Sequence, residues 1–386
     1  MSEWRECKLG DTGHVVTGKT PSKDNPEDWG EEVLFITPSD YKNYGKKAYS
    51  SIRMLSQAGT ARQGKRLLPE NSVLVTCIGS DMGKTVVNAL PCITNQQINA
   101  IIPNRSVADG DFLYYLTRDL HETLTTLGGD GTAVPILNKS DFENIEVTIP
   151  QPPEQKAIAS VLSSLDDKID LLHRQNQTLE AMAETLFRQW FVEEVQEDWD
   201  VRPLSRIANF LNGLACQKTP PKNELEKLPV LKIKELSGGI SESSDWATSE
   251  VKSEYIVEAG DVIFAWSASL MVKVWDGERC VLNQHLFKVT STEFPKWFYL
   301  MWCKHHLAEF ISISASHATT MGHIKRGDLD AAMVNVPSPD ELKDMSEQMT
   351  PLLDKQIVIA KQLRLLETLR DTLLPKLMSG EIRVSC

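Results

Sequence analysis

The chain has 386 residues, of which 41% are hydrophobic and 24% are charged, as in ordinary globular proteins. This composition excludes a disordered, collagen-like or mucin-like chain, and the length predicts two or three domains. The net charge of −12 is unfavourable for a protein that coats nucleic acid by itself. No apolar run reaches the roughly 18 residues that a membrane-spanning helix needs.

Two segments of the chain have the pattern of mixed domains. In residues 1–150, short β-rich runs at 33–37, 73–78 and 98–102 precede a helical pattern at 112–124. In residues 196–337, β-rich runs at 262–266 and 286–289 precede a helical pattern at 297–310. We therefore expect two compact α+β domains.

The second segment repeats the first. Ile149-Pro150 and the Gln-Pro-Pro-Glu that follows reappear 187 residues later as Val336-Pro337 and Ser-Pro-Asp-Glu. The run Cys-Ile-Thr-Asn-Gln at 92–96 also matches Cys-Val-Leu-Asn-Gln at 280–284. This repeat predicts alternating globular and helical regions at 1–150, 151–195, 196–337 and 338–386, related by pseudo-twofold symmetry.

The regions 151–195 and 338–386 carry a coiled-coil pattern, with seam residues at alternating steps of four and three. The first seam comprises Ile158, Leu162, Leu165, Ile169, Leu172, Asn176, Leu179 and Leu186. The second comprises Leu352, Ile359, Leu363, Leu366 and Leu373. Each region predicts one helix of about 35 residues, or about 50–55 Å. A helix with so narrow an apolar stripe needs a partner, so we expect the two to pair antiparallel.

Two residues of these helical regions are unusual. Pro351 lacks an amide hydrogen and is expected to start, kink or break the second helix. Asn176 occupies an otherwise apolar position, where it either fixes the register or marks a solvated break.

Three motifs resemble catalytic or metal sites without matching them. The run Gly-Ser-Asp-Met-Gly-Lys-Thr at 79–85 has three residues between its glycines, where a phosphate-binding loop has four, so a hairpin turn is predicted. The adjacent acids in Pro-Asp-Glu-Leu-Lys at 339–343 indicate a helix start rather than a nuclease. The irregular spacing of the following residues is unfavourable for zinc: Cys303, His305, His306, His317 and His323. We therefore predict no active site, metal site or cofactor on this chain.

Two stretches without acidic residues are candidate DNA contacts. Residues 41–68 interleave tyrosines with Lys42, Lys46, Lys47, Arg53, Arg62, Lys65 and Arg66. Residues 310–327 carry His317, His323, Lys325 and Arg326 among Ser, Thr and Gly. Lys84, in the predicted hairpin turn, adds another cation. These compositions suit loops against DNA phosphates, and solvated basic loops are the alternative for both.

Five runs of the sequence carry a family resemblance: IPQPPEQKAI at 149–158, LDDKID at 165–170, RQNQTLE at 174–180, LFRQWF at 186–191 and LLPKLMSGEI at 373–382. With the two-copy layout, they resemble the specificity subunit of type I restriction–modification enzymes. The resemblance covers the whole chain.

The resemblance implies two target recognition domains, each reading one half of a split double-stranded DNA sequence, spaced by an antiparallel coiled coil. A rod of about 50 Å corresponds to roughly 15 base pairs, with an unread gap on the order of 5–8 pairs. The resemblance also implies two modification subunits that dock near the helices and hold S-adenosylmethionine. Restriction subunits, where a complex includes them, use ATP and Mg.

The sequence leaves two alternatives to a DNA-recognition subunit. A coiled-coil scaffold without a DNA role is disfavoured by the acid-free stretches, and an enzyme with its own site is disfavoured by the absent motifs.

The start of the chain, MSEWRECKLGD, is charged where a signal peptide is apolar, and the seven cysteines form no C-x-x-C pair. Both observations indicate a cytoplasmic protein without a disulfide framework.

Overall fold

A computed structural model describes residues 4–129, 135–316 and 322–384. The chain forms two compact units, one of residues 1–170 with 366–386 and one of residues 171–365. Each unit contains one globular domain and one part of each of two long helices. No helix in the described ranges is both long and apolar enough to cross a membrane.

Within residues 4–129 and 135–149, the first domain contains three sheets and four short α-helices. Its strands are β1 (Arg5–Lys8), β2 (Gly13–Thr17), β3 (Trp29–Gly30), β4 (Val33–Ile36), β5 (Lys47–Ala48), β6 (Arg53–Leu55), β7 (Val73–Thr76), β8 (Thr85–Asn88), β9 (Cys92–Thr94), β10 (Ile98–Pro103) and β11 (Glu146–Ile149). Its helices are α1 (Gln57–Gln63), α2 (Gly110–Asp119), α3 (His121–Gly129) and α4 (Lys139–Glu143), and the chain then enters the long helix α5 (Pro152–Arg188). The sheets have the strand orders β2-β10-β7-β8-β5, β3-β6-β4-β9 and β1-β11.

The second domain repeats most of this topology. Its strands are β12 (Asp200–Pro203), β13 (Asn209–Asn212), β14 (Lys227–Leu231), β15 (Trp246–Thr248), β16 (Ile256–Val257), β17 (Val262–Ala265), β18 (Met271–Val274), β19 (Cys280–Leu282), β20 (Leu286–Thr290) and β21 (Met333–Val336). Its helices are α6 (Leu204–Ile207), α7 (Ile233–Gly238), α8 (Lys296–His305), α9 (Leu307–Ser316) and α10 (Arg326–Ala331), followed by the long helix α11 (Pro339–Met378). The sheets have the orders β13-β20-β17-β18, β15-β14-β19-β16 and β12-β21. The order β13-β20-β17-β18 matches β2-β10-β7-β8 strand for strand, as the sequence repeat predicts.

The predicted strands are present, but each predicted domain helix is two helices. The segment 112–124 divides into α2 and α3 at Leu120, and 297–310 divides into α8 and α9 at His306. The backbone at Leu120 has φ −75° and ψ 4°, and that at His306 has φ −79° and ψ −5°, so neither residue continues a regular α-helix. The apolar pattern runs through both breaks, which is why it predicts a single helix.

The long helices run antiparallel within each unit and complete both domain cores. In the first unit, Ile158 and Leu162 of α5 share one buried cluster with Leu374 and Leu377 of α11. In the second, Ala183 of α5 shares a cluster with Met349 and Leu353 of α11. Residues early in α5 thus lie beside residues late in α11, and residues late in α5 beside residues early in α11.

The buried face of the helices differs from the predicted seam at several positions. Ile158, Leu162, Ile169, Leu172, Ile359 and Leu363 are buried as predicted. Five other predicted residues are only half-buried, namely Leu165, Leu179, Leu352, Leu366 and Leu373. Asp166, Leu353 and Leu374 are instead buried, each one residue further along the chain. Leu186 is also half-buried, and its neighbour Phe187 enters the domain core. The displacement follows because each helix packs against a domain as well as against its partner helix, and because a straight helix drifts from a strict heptad repeat.

Pro351 neither starts nor breaks the second helix, contrary to the sequence-based expectation. The helix begins at Pro339, where Ser338 and Glu341 form a capping box: the Ser338 amide donates to the Glu341 carboxylate at 3.0 Å, and the Glu341 amide donates to Ser338 Oγ at 3.4 Å. Pro351 and Glu347, whose carbonyl loses its helical amide partner, are both exposed. Water can hydrate that carbonyl, so the helix continues.

Candidate nucleic-acid interface

Four connecting segments meet at one end of the first domain. We call residues 18–20, 78–84, 95–97 and 135–138 loop cluster 1. Main-chain hydrogen bonds join them: Gly79 N donates to Pro135 O at 2.9 Å, Lys19 N to Thr94 O at 2.9 Å, and Cys77 N to Gln97 O at 2.7 Å. The positions of these loops are therefore set by backbone groups, which leaves exposed side chains available for contacts.

The second domain forms the same arrangement. We call residues 212–214, 266–270, 283–285 and 322–325 loop cluster 2. Ala268 N donates to Gly322 O at 2.9 Å, Leu214 N to Leu282 O at 2.9 Å, and Ile324 N to Trp266 O at 3.1 Å. These bonds join segments that correspond to those of loop cluster 1.

A glycine in each cluster permits close backbone approach. A Cβ on Gly18 would lie 2.2 Å from Thr94 O, and a Cβ on Gly213 would lie 2.3 Å from Asn283 O. No side chain fits at these distances, so both positions require glycine. The two glycines occupy corresponding places, directly after β2 and β13.

The repeated Asn-Gln pair forms the turn beside each glycine. Asn95 and Asn283 are buried, and each side chain accepts a backbone hydrogen bond two residues on, from Gln97 N at 3.1 Å and from His285 N at 3.2 Å. The following glutamine, Gln96 in one copy and Gln284 in the other, is left at the surface or half-buried.

Loop cluster 2 assembles aromatic and imidazole side chains. Trp266 Nε1 donates to Asn212 Oδ1 at 3.1 Å, and the indole stacks on Phe287 with ring centroids 5.7 Å apart. The Ser267 hydroxyl lies 3.1 Å from His285 Nδ1. His323 lies edge-on to Trp266, at 6.4 Å between ring centroids. Such hydroxyl, amide and imidazole groups can donate to and accept from base edges and phosphates.

The remaining candidates in the second domain are placed as follows. Lys325 is exposed at the end of loop cluster 2, and Arg326 is exposed directly after it, at the start of α10. His317 lies outside the described residues.

The 79–85 run in loop cluster 1 is a hairpin turn, as predicted. It joins β7 to β8, which pair antiparallel, and Gly79 and Gly83 have φ of +83° and +80°. Because such positive φ angles are unfavourable for residues that have a Cβ, both positions favour glycine. Lys84 is exposed and forms an ion pair with Asp81 at 2.5 Å.

The basic stretch 41–68 is not a single loop. It contains β5, β6 and α1, and its cations face different surroundings. Lys46 differs most from the predicted DNA contact, because its side chain is only 10% exposed and forms an ion pair with Asp111 at 2.7 Å. Its ammonium also donates to Ser163 Oγ of α5 at 2.7 Å and lies 4.9 Å from the Tyr115 ring centroid. Lys46 therefore joins the domain to helix α5.

Two arginines of the stretch also have internal partners. Arg53 lies over the Trp29 ring, 4.5 Å from its centroid, and Arg62 pairs with Glu27 and with the buried Asp28. The exposed Lys42, Lys47 and Lys65 and the half-buried Arg66 have no acidic partner within ion-pair distance in the part of the chain that the structure describes. They are the cations of this stretch that remain available for phosphates.

A second repeat escaped the sequence analysis. Lys-Thr-Pro-Ser-Lys at 19–23 corresponds to Lys-Thr-Pro-Pro-Lys at 218–222. The offset here is 199, whereas it is 195 between Gly18 and Gly213, because the second copy has four extra residues after Gly213. In the first copy, Thr20 Oγ1 donates to the Gln96 side chain at 2.9 Å, which places this motif in loop cluster 1. A search for repeats that tolerates insertions would have found it.

The candidate metal ligands do not assemble. Cys303 is buried, while His306 accompanies Glu309 at 3.1 Å and His323 belongs to loop cluster 2. Across residues 4–129, 135–316 and 322–384, no group of three or more His, Cys, Asp or Glu is placed to hold a metal ion. The six cysteines in those ranges are free thiols.

The chain matches the family model described as type I restriction modification DNA specificity domain twice, over residues 1–181 and 196–368. It is 29% identical to the type I restriction enzyme MjaIX specificity subunit of Methanocaldococcus jannaschii, covering 99% of this chain and 94% of the relative. It is also 37% identical to the HindI specificity subunit of Haemophilus influenzae over 38% of this chain and 32% of that protein.

The fold has a solved counterpart. The S subunit of a type I restriction–modification system from M. genitalium matches with a TM-score of 0.62 at 15% identity, over 98% of this chain and 96% of that one. The two-copy architecture and the double family match agree. The chain therefore belongs to the specificity subunits of type I restriction–modification systems, the non-catalytic DNA-recognition subunits of these complexes.

Proposed function

We propose that loop clusters 1 and 2 are the reading surfaces for the two halves of a bipartite double-stranded DNA target. One observation carries the proposal: the clusters share a backbone framework but present different side chains. Loop cluster 1 presents Gln96 and Lys84, whereas loop cluster 2 presents Gln284, His285 and His323. A shared frame with different donors and acceptors suits two different half-sites.

The available cations supply sequence-independent affinity. Lys42, Lys47, Lys65 and Arg66 in the first domain, and Lys325 and Arg326 in the second, are the side chains proposed to meet phosphates. Each phosphate neutralised adds about 0.9 to the dependence of log affinity on log salt concentration. Against a chain charge of −12, these local cations permit DNA binding without making the whole protein basic.

The helix pair is the proposed docking surface for two modification subunits. Leu171 is 43% exposed and Met182 49% exposed on α5, and Val358 is 56% exposed and Leu365 68% exposed on α11. The 187-residue offset carries Leu171 onto Val358. Apolar side chains exposed at repeated positions suit two copies of one partner. Those partners would supply S-adenosylmethionine and methyl transfer, and restriction subunits would supply ATP- and Mg-dependent steps, in the cytoplasm.

The reading surfaces can be tested by changing one cluster. The variant Q284A/H285A, co-expressed with the modification subunits, is expected to lose base preference in one half of the target and retain the other half. Sequencing of methylated sites in the host reports both halves together. The control E254A alters an exposed residue outside the cluster and should leave both halves unchanged. Unchanged recognition by Q284A/H285A would contradict the proposed surface.

A further inference from the structure

The two ends of the helix pair are equivalent by the repeat but differ in one buried contact. The 187-residue offset carries Asp166 onto Leu353 and Ala183 onto Arg370. In the first unit, Asp166 pairs with Arg370 at 3.0 Å. In the second unit, Leu353 and Ala183 lie in one apolar cluster. A charged pair therefore stands where the repeat has an apolar pair.

The charged pair is well enclosed. The Asp166 side chain is 9% exposed and that of Arg370 15% exposed. Asp166 Oδ1 accepts from Arg370 Nη1, and Asp166 Oδ2 accepts from the Tyr115 hydroxyl at 2.7 Å. Tyr115 is the sixth residue of α2, and the sixth residue of α8 is Met301. The whole contact is thus polar in one copy and apolar in the other.

This difference bears on which helices can pair. The repeat makes each half of the chain nearly complementary to a second copy of itself, because α5 resembles α11. Two first halves in the same antiparallel register would place Asp166 against Ala183 of the other copy. Two second halves would place Arg370 against Leu353 of the other copy. Both like pairings leave a buried charged group without the partner it has in the native chain.

Other charges near the pair do not remove this effect. Arg118 approaches Asp166 Oδ2 at 3.8 Å, and Asp371 contacts Arg370 Nε at 2.8 Å. Each belongs to the same half as the group it approaches, so each would persist in a like pairing. Two ion pairs at this site join the halves and form only in the unlike pairing. Asp166 Oδ1 with Arg370 Nη1 at 3.0 Å is the enclosed one, whereas Arg118 with Asp371 at 3.9 Å involves an exposed carboxylate.

We propose that the Asp166–Arg370 pair makes the two halves of this chain pair with each other and suppresses pairing of either half with a second copy of itself. It acts as a single buried polar contact acts in a coiled coil, by penalising alternative partners rather than by adding stability. The inference concerns the protein alone and does not depend on how DNA is read.

The experiment uses the folded full-length chain with a protease site placed in the exposed segment 194–198. Cleavage leaves two fragments held by the native contacts. The sample is diluted so that the fragments can exchange partners, and it is then concentrated again. Native mass spectrometry separates the mixed complex, with one fragment of each kind, from the two like dimers, which contain identical fragments. For the wild-type residues, we expect the mixed complex, with like dimers as a small minority. A statistical mixture of all three species would overturn the proposal without any variant.

The variant D166L/R370A transfers the apolar pair of the second unit to the first. The share of like dimers is expected to rise at least tenfold. The control D167A/K361A changes two exposed residues of the same helices and should behave as wild type. If the cleaved D166L/R370A protein keeps the wild-type share of like dimers, the pair does not select partners.

Discussion

The length of the helix pair is expected to set the unread gap of the target, and lengthening it by whole heptads tests this. The two units divide α5 after Asp170 and α11 after Leu365. These points lie opposite each other, because Asp166 pairs with Arg370, and Asp170 and Leu365 are four and five residues from that contact. Heptads inserted at both points preserve the seam and leave both domains intact.

The expected change in the gap follows from the rise per residue of an α-helix and the rise per base pair of DNA. Three heptads add about 31 Å at 1.5 Å per residue, which corresponds to about nine base pairs at 3.4 Å each. Nine pairs are close to one turn of DNA, about 10 pairs, so the second half-site returns to nearly the same face. One heptad adds about three base pairs but turns that half-site by roughly 105° around the DNA axis.

We therefore expect the three-heptad variant to select targets whose gap is longer by about nine base pairs, with both half-sites unchanged. The one-heptad variant should bind its best target more weakly than the three-heptad variant does. Selection from a DNA library with variable gaps, using the complex with its modification subunits, measures both. A three-heptad variant that still prefers the original gap would refute the helix pair as the spacing element.

Three further outcomes are expected. K47A should lower the salt dependence of DNA binding by about 0.9 per phosphate lost, whereas K46A, which breaks an internal ion pair, should leave it unchanged and cost about 1–3 kcal/mol of stability in chemical denaturation. G213A, whose Cβ would meet Asn283 O at 2.3 Å, should impair recognition of the second domain's half-site alone in the library selection. Burial raises the pKa of the Cys77 thiol to about 11, so at pH 8 it stays neutral, and mass spectrometry after iodoacetamide treatment should find the half-buried Cys7 alkylated before Cys77.

The repeat and the helical regions were predictable because they rest on periodicity. The match between the two sheet orders follows from the sequence repeat, and the seam positions Ile158 and Leu162 follow from heptad spacing. Pro351 was misinterpreted because propensity disfavours proline inside a helix, whereas the capping box at Ser338 starts the helix twelve residues earlier.

The candidate DNA contacts were less predictable, because charge along a sequence does not show which way a side chain points. Lys46 and Lys47 are neighbours, yet the first is enclosed beside α5 and the second is exposed. Asp166 likewise follows the predicted seam residue Leu165, and it is buried because Tyr115 and Arg370, both distant in sequence, contact it. Tertiary partners of this kind leave no local signal.

The way the loop clusters are held has a consequence for inheritance. Bonds such as Gly79 N to Pro135 O and Ala268 N to Gly322 O involve main-chain atoms, which almost any residue supplies. Mutations at the exposed positions can therefore accumulate without a cost in folding. One gene encodes both loop clusters, and their backbone frameworks match. Recombination between the two copies can therefore also move a loop from one half to the other. With the loop clusters as the proposed reading surfaces, a lineage would acquire a new methylation pattern while keeping the same subunit architecture.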